Sequence, residues 1–289
     1  MPVHNVKDRA HHLRRLLAKT KLSNTNFIIV SDSELDSDHN QVRELIEDSP
    51  NSSAIFLSGK FDGPGAARNA GISASNSEWI CFLDSDDDID LTKIHSLIAE
   101  AEEESAEIAI GGLVLRIGTQ QTEKKYFFNY KLSLNENLSL TPAFTRMVFR
   151  RDVLKGTIFP NFKMAEDQCF VFDIFSLKPK VLLREYYFYV YNIGTSEQAT
   201  RNFESLNDLS KSVNYVFDRL KISSLQMRQM GTTMIIRQCI TYFSNFGFRI
   251  NISTLNLIGI LLRLFLSYPF NFMRSIFLIK NYRPRIFNE

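Results

Sequence analysis

The residues best suited to chemistry in this chain are Asp84-Ser-Asp-Asp-Asp88, which directly follow the apolar run Trp79-Ile-Cys-Phe-Leu83. A strand that runs into several carboxylates sets negative charge at the mouth of a pocket and calls for a counter-ion. Hard divalent cations such as Mg2+ or Mn2+ prefer oxygen ligands. They commonly take one or two protein carboxylates plus substrate phosphates, which makes a nucleotide diphosphate the natural partner. Two rival chemistries fail on spacing. A calcium-binding EF-hand loop starting at Asp84 needs Gly at its sixth position and Glu at its twelfth, where this chain has Ile89 and His95. An aspartyl-nucleophile phosphatase of the D-x-D-x-T/V type needs Thr or Val at the fifth position, which is Asp88. A solvated acidic turn that caps a helix at Leu91 accounts for the same residues without any chemistry.

A second element, Gly63-Pro-Gly-Ala-Ala-Arg-Asn-Ala-Gly71, places Arg68 sixteen positions before Asp84. Its glycines, Gly65 among them, allow close approach of backbone to a ligand, and Arg68 either neutralises phosphate or holds the acidic cluster in place. No Gly-Lys-Ser/Thr follows, so this is not a Walker loop. A structural turn with an arginine salt bridge is the simpler account of this segment taken alone.

The pattern around these segments predicts what positions them. Val6 to Lys19 has helical apolar spacing, Phe27 to Val30 is a buried strand, Gln41 to Glu47 a helix, Ala54 to Leu57 a strand. A helix opens near Ala66 after the Gly-Pro-Gly turn, Trp79 to Leu83 is a third strand, Leu91 to Glu104 an acidic amphipathic helix and Ile108 to Ile117 a β-rich run. Such alternation implies an α/β sandwich, in which ligands bind beyond the carboxyl ends of the strands, here the loops after Val30, Leu57 and Leu83. Further on we expect a helix containing Arg146 to Leu154, a helix from about Glu166, an aromatic strand from Val181 to Tyr191, and a wholly helical region from about Phe203.

Composition narrows the partners. Apolar residues make up 44% and charged residues 23% of 289, ordinary for a folded protein, and a net charge of +2 without basic runs argues against nucleic acid. Cys81, Cys169 and Cys239 lie far apart among apolar neighbours, which suggests buried thiols in a reducing compartment. The N-terminus has no apolar stretch of signal-peptide type, so a cytoplasmic location is expected and the N-x-S sequences at Asn51, Asn137 and Asn251 carry no weight. The chain begins almost inside its first strand, leaving about three residues where a central strand usually has five or six. Either the natural start lies upstream or that strand is unusually short.

Taken together, G-x-x-x-A-R-N-x-G at 63–71 and W-I-x-F-L-D-S-D-D from Trp79 resemble the donor-site half of family 2 glycosyltransferases. Pro2-Val3-His4-Asn5 resembles the end of that family's first strand, and Val30-Ser-Asp-Ser-Glu-Leu-Asp36 a variant of its V-D-D-G-S-x-D motif, so Asp32 matches the base-reading aspartate. Met164-Ala-Glu-Asp-Gln-Cys-Phe170, preceded by Phe149-Arg-Arg-Asp-Val-Leu154, resembles the family's E-D motif and its lead-in. The resemblance runs over roughly residues 2 to 200 and rests on the ordered set of motifs. It implies an inverting transfer in which Asp167 is the general base, with Glu166 the secondary candidate. A helix N-terminal carboxylate pair is the alternative for these two.

The implied donor site comprises Pro2, Val3, Asn5, Asp32, Gly65, Arg68, Asn69, Asp84, Ser85 and Asp86, with Mn2+ or Mg2+ on Asp86 and Asp84 and Asp87 as a secondary candidate. Ser31, Ser33 and Glu34 depart from the family pattern around Asp32, which leaves the base open, with UDP the default. The segment Asn192-Ile-Gly-Thr-Ser196 lacks an Arg or His often found there, for which Arg201 is a substitute.

Leu257 to Ile279 is rich in Leu, Ile and Phe but is interrupted by Arg263, Pro269 and Arg274, which argues against a simple spanning helix. Five Lys/Arg residues from Arg263 to Arg285 face one acid, Glu289, the balance of a surface that docks on anionic lipid. Packing on the catalytic domain or on a second copy explains the region equally well. The reading is therefore a GT-A-like, Rossmann-type α/β/α sandwich with a mostly parallel central sheet, residues 1–200, and a helical C-terminal appendage, residues 201–289. Its implied function is an inverting, metal-dependent glycosyltransferase acting on a glycan or lipid-linked acceptor in surface-polysaccharide synthesis, cytoplasmic or peripheral on the cytoplasmic membrane face. A catalytically inactive sugar-nucleotide or membrane-binding module is the alternative from another class. A sugar-phosphate nucleotidyltransferase would want a Gly-rich basic loop that Met1 to Lys19 lacks.

Overall fold

The computed structural model describes residues 1–3, 6–20, 25–49, 54–118, 122–193, 203–246, 251–282 and 285–288. The first half alternates as the apolar spacing requires: β1 (Pro2–Val3), α1 (Val6–Thr20), β2 (Ile28–Asp32), α2 (Asp36–Glu47), β3 (Ile55–Gly59), α3 (Pro64–Ala74), β4 (Trp79–Cys81), β5 (Asp88–Ile89), α4 (Leu91–Glu103) and β6 (Ile108–Ile117). β7 (Thr122–Phe127), α5 (Leu134–Leu140), β8 (Met147–Arg150), α6 (Glu166–Ser176) and β9 (Val181–Ile193) follow. Four helices, α7 (Phe203–Leu220), α8 (Leu225–Phe246), α9 (Ile252–Ser267) and α10 (Pro269–Asn281), precede a last strand, β10 (Arg285–Asn288).

Helix starts are chemically marked. Pro64 opens α3, the Asp90 carboxylate accepts the Lys93 amide at the head of α4, and Ser133 and Glu136 form a capping box on α5.

β1, β2 and β3 form a parallel sheet, with Val3 opposite Ser31 and Asp32 opposite Gly59. The other strands form a mixed sheet ordered β10-β7-β6-β8-β4, with β9 parallel to β6 and antiparallel to β5. Parallel pairing is thus concentrated at β1–β3 and at β6–β9. Strand alternation divides the interior in two. Ala109, Val148 and Leu83 join a core with α1, α2 and α4, while Ile108, Ile110, Phe149 and Phe82 face a core built with α6, α7, α8 and α9. The C-terminal helices therefore share their core with α6. Between β6 and β9 the register shifts at Gly111 and Gly112, where a Cβ would fall 2.4 Å from the Tyr186 carbonyl and 2.4 Å from the Tyr187 ring.

Two expectations need correction. Arg146 to Leu154 is not a helix: Met147–Arg150 is β8, flanked by 3-10 turns at Phe144–Arg146 and Arg151–Leu154. The run Met-Val-Phe is apolar enough for either state, and the vacant edges of β4 and β6 decide for the strand. Nor is the region after Phe203 wholly helical, since β10 pairs antiparallel with β7. All three cysteines are free, Cys169 and Cys239 buried and Cys81 half-buried.

Candidate active site

The acidic residues leave β4 in a tight turn, closed by the Asp87 amide on the Asp84 carbonyl at 3.1 Å. β9 holds this turn from behind. The Tyr189 hydroxyl donates to the Asp87 carboxylate at 2.6 Å, the Asn192 amide donates to it at 2.9 Å, and the Asn192 side-chain amide donates to the Asp86 carbonyl at 2.6 Å. Asp87 is buried, and desolvation, with Asp84 and Asp86 adding like charge, pushes its pKa up to about 8. Asp88 is buried against Arg15 and against Arg116, the latter at 3.2 Å. From α1, Arg9 donates to the Ser85 hydroxyl and lies 3.8 Å from the Asp86 carboxylate, and His12 Nε2 lies 2.5 Å from the Asp87 carbonyl. Asp84 and Asp86 keep side-chain exposures of 30% and 24%, so these two carboxylates, unlike those of Asp87 and Asp88, remain partly open to solvent.

Arg68 ties this loop to α6. Its guanidinium is buried and donates to Asp84 Oδ1 and to Glu166 Oε1, each at 2.7 Å, while lying 4.8 Å from the Phe144 ring centroid and 5.5 Å from that of Phe159. A buried cation is tolerated when two carboxylates and aromatic faces replace its water. α3 presents Arg68 by close packing: a Cβ on Gly65 would fall 2.9 Å from the Pro160 carbonyl and 3.0 Å from Glu166 Cγ. Asn69 donates to the Phe159 carbonyl at 2.8 Å and accepts the Phe159 amide at 2.9 Å, pairing like a strand residue. On the opposite side Ala165 adopts φ 63°, a left-handed conformation that costs a non-glycine residue energy, and opens α6 so that Glu166 and Asp167 stand at its head.

Burial raises the Glu166 pKa to about 7, the adjacent Asp167 charge adding and Arg68 opposing. Asp167 is raised too, first by burial, against the pull of Arg68 and of the Gln168 amide, which donates to it at 2.8 Å. Asp84 also acts on Asp167, so the acidic loop and the pair on α6 share one electrostatic neighbourhood. A carboxylate whose affinity for a proton is raised by its surroundings is suited to accept one.

The structure thus brings Arg68, Asp84, Ser85, Asp86, Glu166 and Asp167 together. Arg68 takes the second of its two expected roles and holds the acidic cluster. Gly65 and Asn69 fit protein against protein through residues 159–160. Asp32 accepts the Phe61 amide at 2.8 Å and the Gly63 amide at 3.2 Å, shaping the loop that leads into α3. Pro2 and Val3 pair with β2, and the Val3 side chain is buried in the core. Asn5, Arg201 and residues 194–196 lie outside the described residues. Sequence reasoning missed Arg9, His12 and Arg15, whose three-residue spacing puts them on one face of α1, and Tyr189 and Asn192 on β9.

Among the described residues no three His, Cys, Asp or Glu side chains gather as a closed metal cage. The partly open pair Asp84 and Asp86 matches the one or two carboxylates that Mg2+ or Mn2+ takes when phosphates complete its shell.

Residues 1–158 match the model of glycosyl transferase family 2. The succinoglycan biosynthesis protein ExoO of Rhizobium meliloti is 34% identical over 115 residues, 38% of this chain and 32% of that protein. The cholesterol galactosyltransferase of Borreliella burgdorferi is 25% identical over 214 residues, 66% of this chain and 56% of that protein, so the chain spans 32% of one of these two relatives and 56% of the other. The crystal structure of S. aureus TarS 1-349 in complex with UDP-GlcNAc superposes with a TM-score of 0.70 at 20% identity, over 96% of this chain and 82% of TarS 1-349, a likeness of fold.

Proposed function

The chain belongs to glycosyltransferase family 2, and from that membership we propose that it moves a sugar from a nucleotide-diphosphate donor to a hydroxyl group of a glycan or lipid-linked acceptor, inverting the anomeric carbon. The observation that carries this reading is Arg68, which binds the acidic loop and the head of α6 with 2.7 Å contacts to each and so fixes a donor side and an acceptor side at one place. The acceptor oxygen forms a bond to the anomeric carbon as the bond to the diphosphate oxygen breaks, and the nucleotide diphosphate leaves with that electron pair. The acceptor's proton passes to the Asp167 carboxylate.

Asp86 and Asp84 would hold Mg2+ or Mn2+, which would supply positive charge against the negative charge growing on the leaving diphosphate. Glu166 is a positioning residue through Arg68, and Asp87 a positioning residue for the turn. We place the nucleobase beside Asp32, at the carboxyl end of β2. A uridine nucleotide is the first choice because TarS was crystallised with UDP-GlcNAc, and polysaccharide biosynthesis is the setting in keeping with ExoO, a succinoglycan biosynthesis protein.

The test is thermal stability of the wild type and Asp86→Ala with UDP, GDP, dTDP or CMP, each with and without Mn2+, followed by transfer from the matching sugar nucleotide and NMR of the product's anomeric centre. A metal-dependent rise with one nucleotide that Asp86→Ala abolishes, and a product of inverted configuration, are expected. No rise with any nucleotide, or a product that retains configuration, overturns the reading.

A further inference from the structure

α9 and α10 meet at Tyr268 in an elbow bent by 115°. Each turns one stripe inward: Leu257, Ile260 and Leu264 of α9 join the core with α7, and Leu278 and Ser275 of α10 pack on α8. The outward stripes are apolar as well. On α9 they comprise Leu255, Leu262 and Leu266, the last 76% exposed, and on α10 Phe270, 89% exposed, Met273 and Phe277. A helix lying on a soluble body carries polar residues there, and a contiguous exposed apolar patch marks a contact surface. The two outward stripes adjoin at the bend, with Leu266 and Phe270 on either side of Tyr268.

Charge selects the occupant. From Ile252 to Asn281 the chain has Arg263, Arg274 and Lys280 and no Asp or Glu. Arg274 is paired with Glu136 at 2.7 Å yet stays 63% exposed. Symmetric pairing with a second copy would set this same cationic face against itself. An anionic lipid surface complements it, apolar stripes entering the acyl boundary and cations remaining among headgroups. No single helix among the described residues is long and apolar enough to cross a membrane; the two helices of the elbow together have the length and apolarity for a broken span, but their inward stripes are held against α7 and α8, which favours the elbow lying along the surface. We propose that the α9–α10 elbow is a docking face for an anionic lipid bilayer.

α8 relates this face to the site. On one side of α8 Gln229 and Thr233 hydrogen-bond Ser275 of α10 at 2.9 and 2.8 Å, and on another Gln238 donates to Gln168, next to Asp167, at 3.1 Å. A docked elbow therefore sets the head of α6 at a fixed height above the lipid. This last consequence rests on the glycosyl-transfer reading; the docking itself does not.

The experiment is flotation of the full chain with vesicles of phosphatidylcholine alone or with one third phosphatidylglycerol. The variants are L262E/L266E/F270E, on the outward stripes, and R263E/K280E, on the cationic rim. Melting temperature and nucleotide response are measured in parallel. Wild type is expected to float with anionic vesicles about tenfold more strongly than with neutral ones, the triple variant to lose flotation with its fold intact, and the charge variant to lose the anionic preference. Wild type that floats with neither vesicle, variants that float like wild type, or a wild-type dimer that the triple variant dissolves would each overturn the proposal. A charge variant decides the matter even if the triple variant fails to fold.

Discussion

The acidic loop at residues 84–88 and the pair Glu166–Asp167 meet at Arg68, yet their charge is handled by different means. The loop is ringed by cations delivered from elsewhere in the fold, Arg9 and Arg15 from α1 and Arg116 from β6, and it leaves Asp84 and Asp86 partly open to solvent. Of the pair on α6, Glu166 bonds the buried Arg68 directly and Asp167 feels its charge, and burial raises the proton affinity of both carboxyls. Within the loop the partly exposed Asp84 and Asp86 are the carboxylates that our reading gives to a metal and a diphosphate, while burial raises the proton affinity of Asp87 as it does on α6. A cluster raised by desolvation is arranged to take up a proton. On the proposed transfer, Asp84 and Asp86 would serve the leaving group and Asp167 the incoming hydroxyl.

The comparison is tested most sharply at Asp167. Asp167→Asn is expected to lower kcat by about 10²–10⁴ while leaving the metal-dependent nucleotide response intact, and loss of both together would erase the distinction between the two clusters. Arg68→Met removes the shared partner and leaves the buried Glu166 carboxyl without it, so urea unfolding should report a loss of about 3–5 kcal/mol. A change below 1 kcal/mol would mean that the two clusters stand independently.

Next is the pH dependence of stability. Asp87 and Glu166 bind protons more tightly folded, at about 8 and about 7, than as unfolded carboxyls. The native state therefore holds more protons between about pH 4 and 8, and stability falls as pH rises through that window, by at most about 1.4 kcal/mol per pH unit for each extra proton held. Urea midpoints measured from pH 5 to 8.5 should decline, and Asp87→Asn should flatten the slope. The smallest effect belongs to Arg9, which is partly exposed: Arg9→Ala should weaken nucleotide binding about tenfold, the worth of one charge-assisted hydrogen bond, with less than about 1 kcal/mol lost in unfolding. An unchanged nucleotide affinity would remove Arg9 from the donor side.

Much of the sheet was legible because β2, β3, β4 and β6 are apolar runs, and the motif residues follow β2 and β4 directly. β8 was misread because Met147-Val-Phe-Arg150 is too short for periodicity to separate strand from helix, and its partners β4 and β6 are distant in sequence. β7, reading Thr-Glu-Lys-Lys-Tyr-Phe, is polar enough at its start to pass for a loop, and its pairing with β10 spans most of the second half. At the site the types and spacings identified the acids and Arg68. They did not reveal that both oxygens of Asp32 accept loop amides, or that Asn69 serves the backbone of Phe159, because these partners are set by tertiary approach. The basic face of α1 was visible as i, i+3 spacing, but only the folded chain aims it at the acidic turn.

The pairing of β10 with β7 has a mechanical consequence. Arg285 lies opposite Phe127, so the chain between them, α6 and the elbow included, is closed into a loop of 158 residue steps (285 − 127) whose two ends are clamped in one sheet. A pull on the elbow is carried through α10 into that four-residue ladder, and so into the same sheet as β4, from which the acidic turn departs. A single nick in α7–α10 would open the ring without releasing either fragment, and a truncation before α9 would remove a strand together with the helices. The elbow is thereby tied at its far end into the sheet that also carries β4.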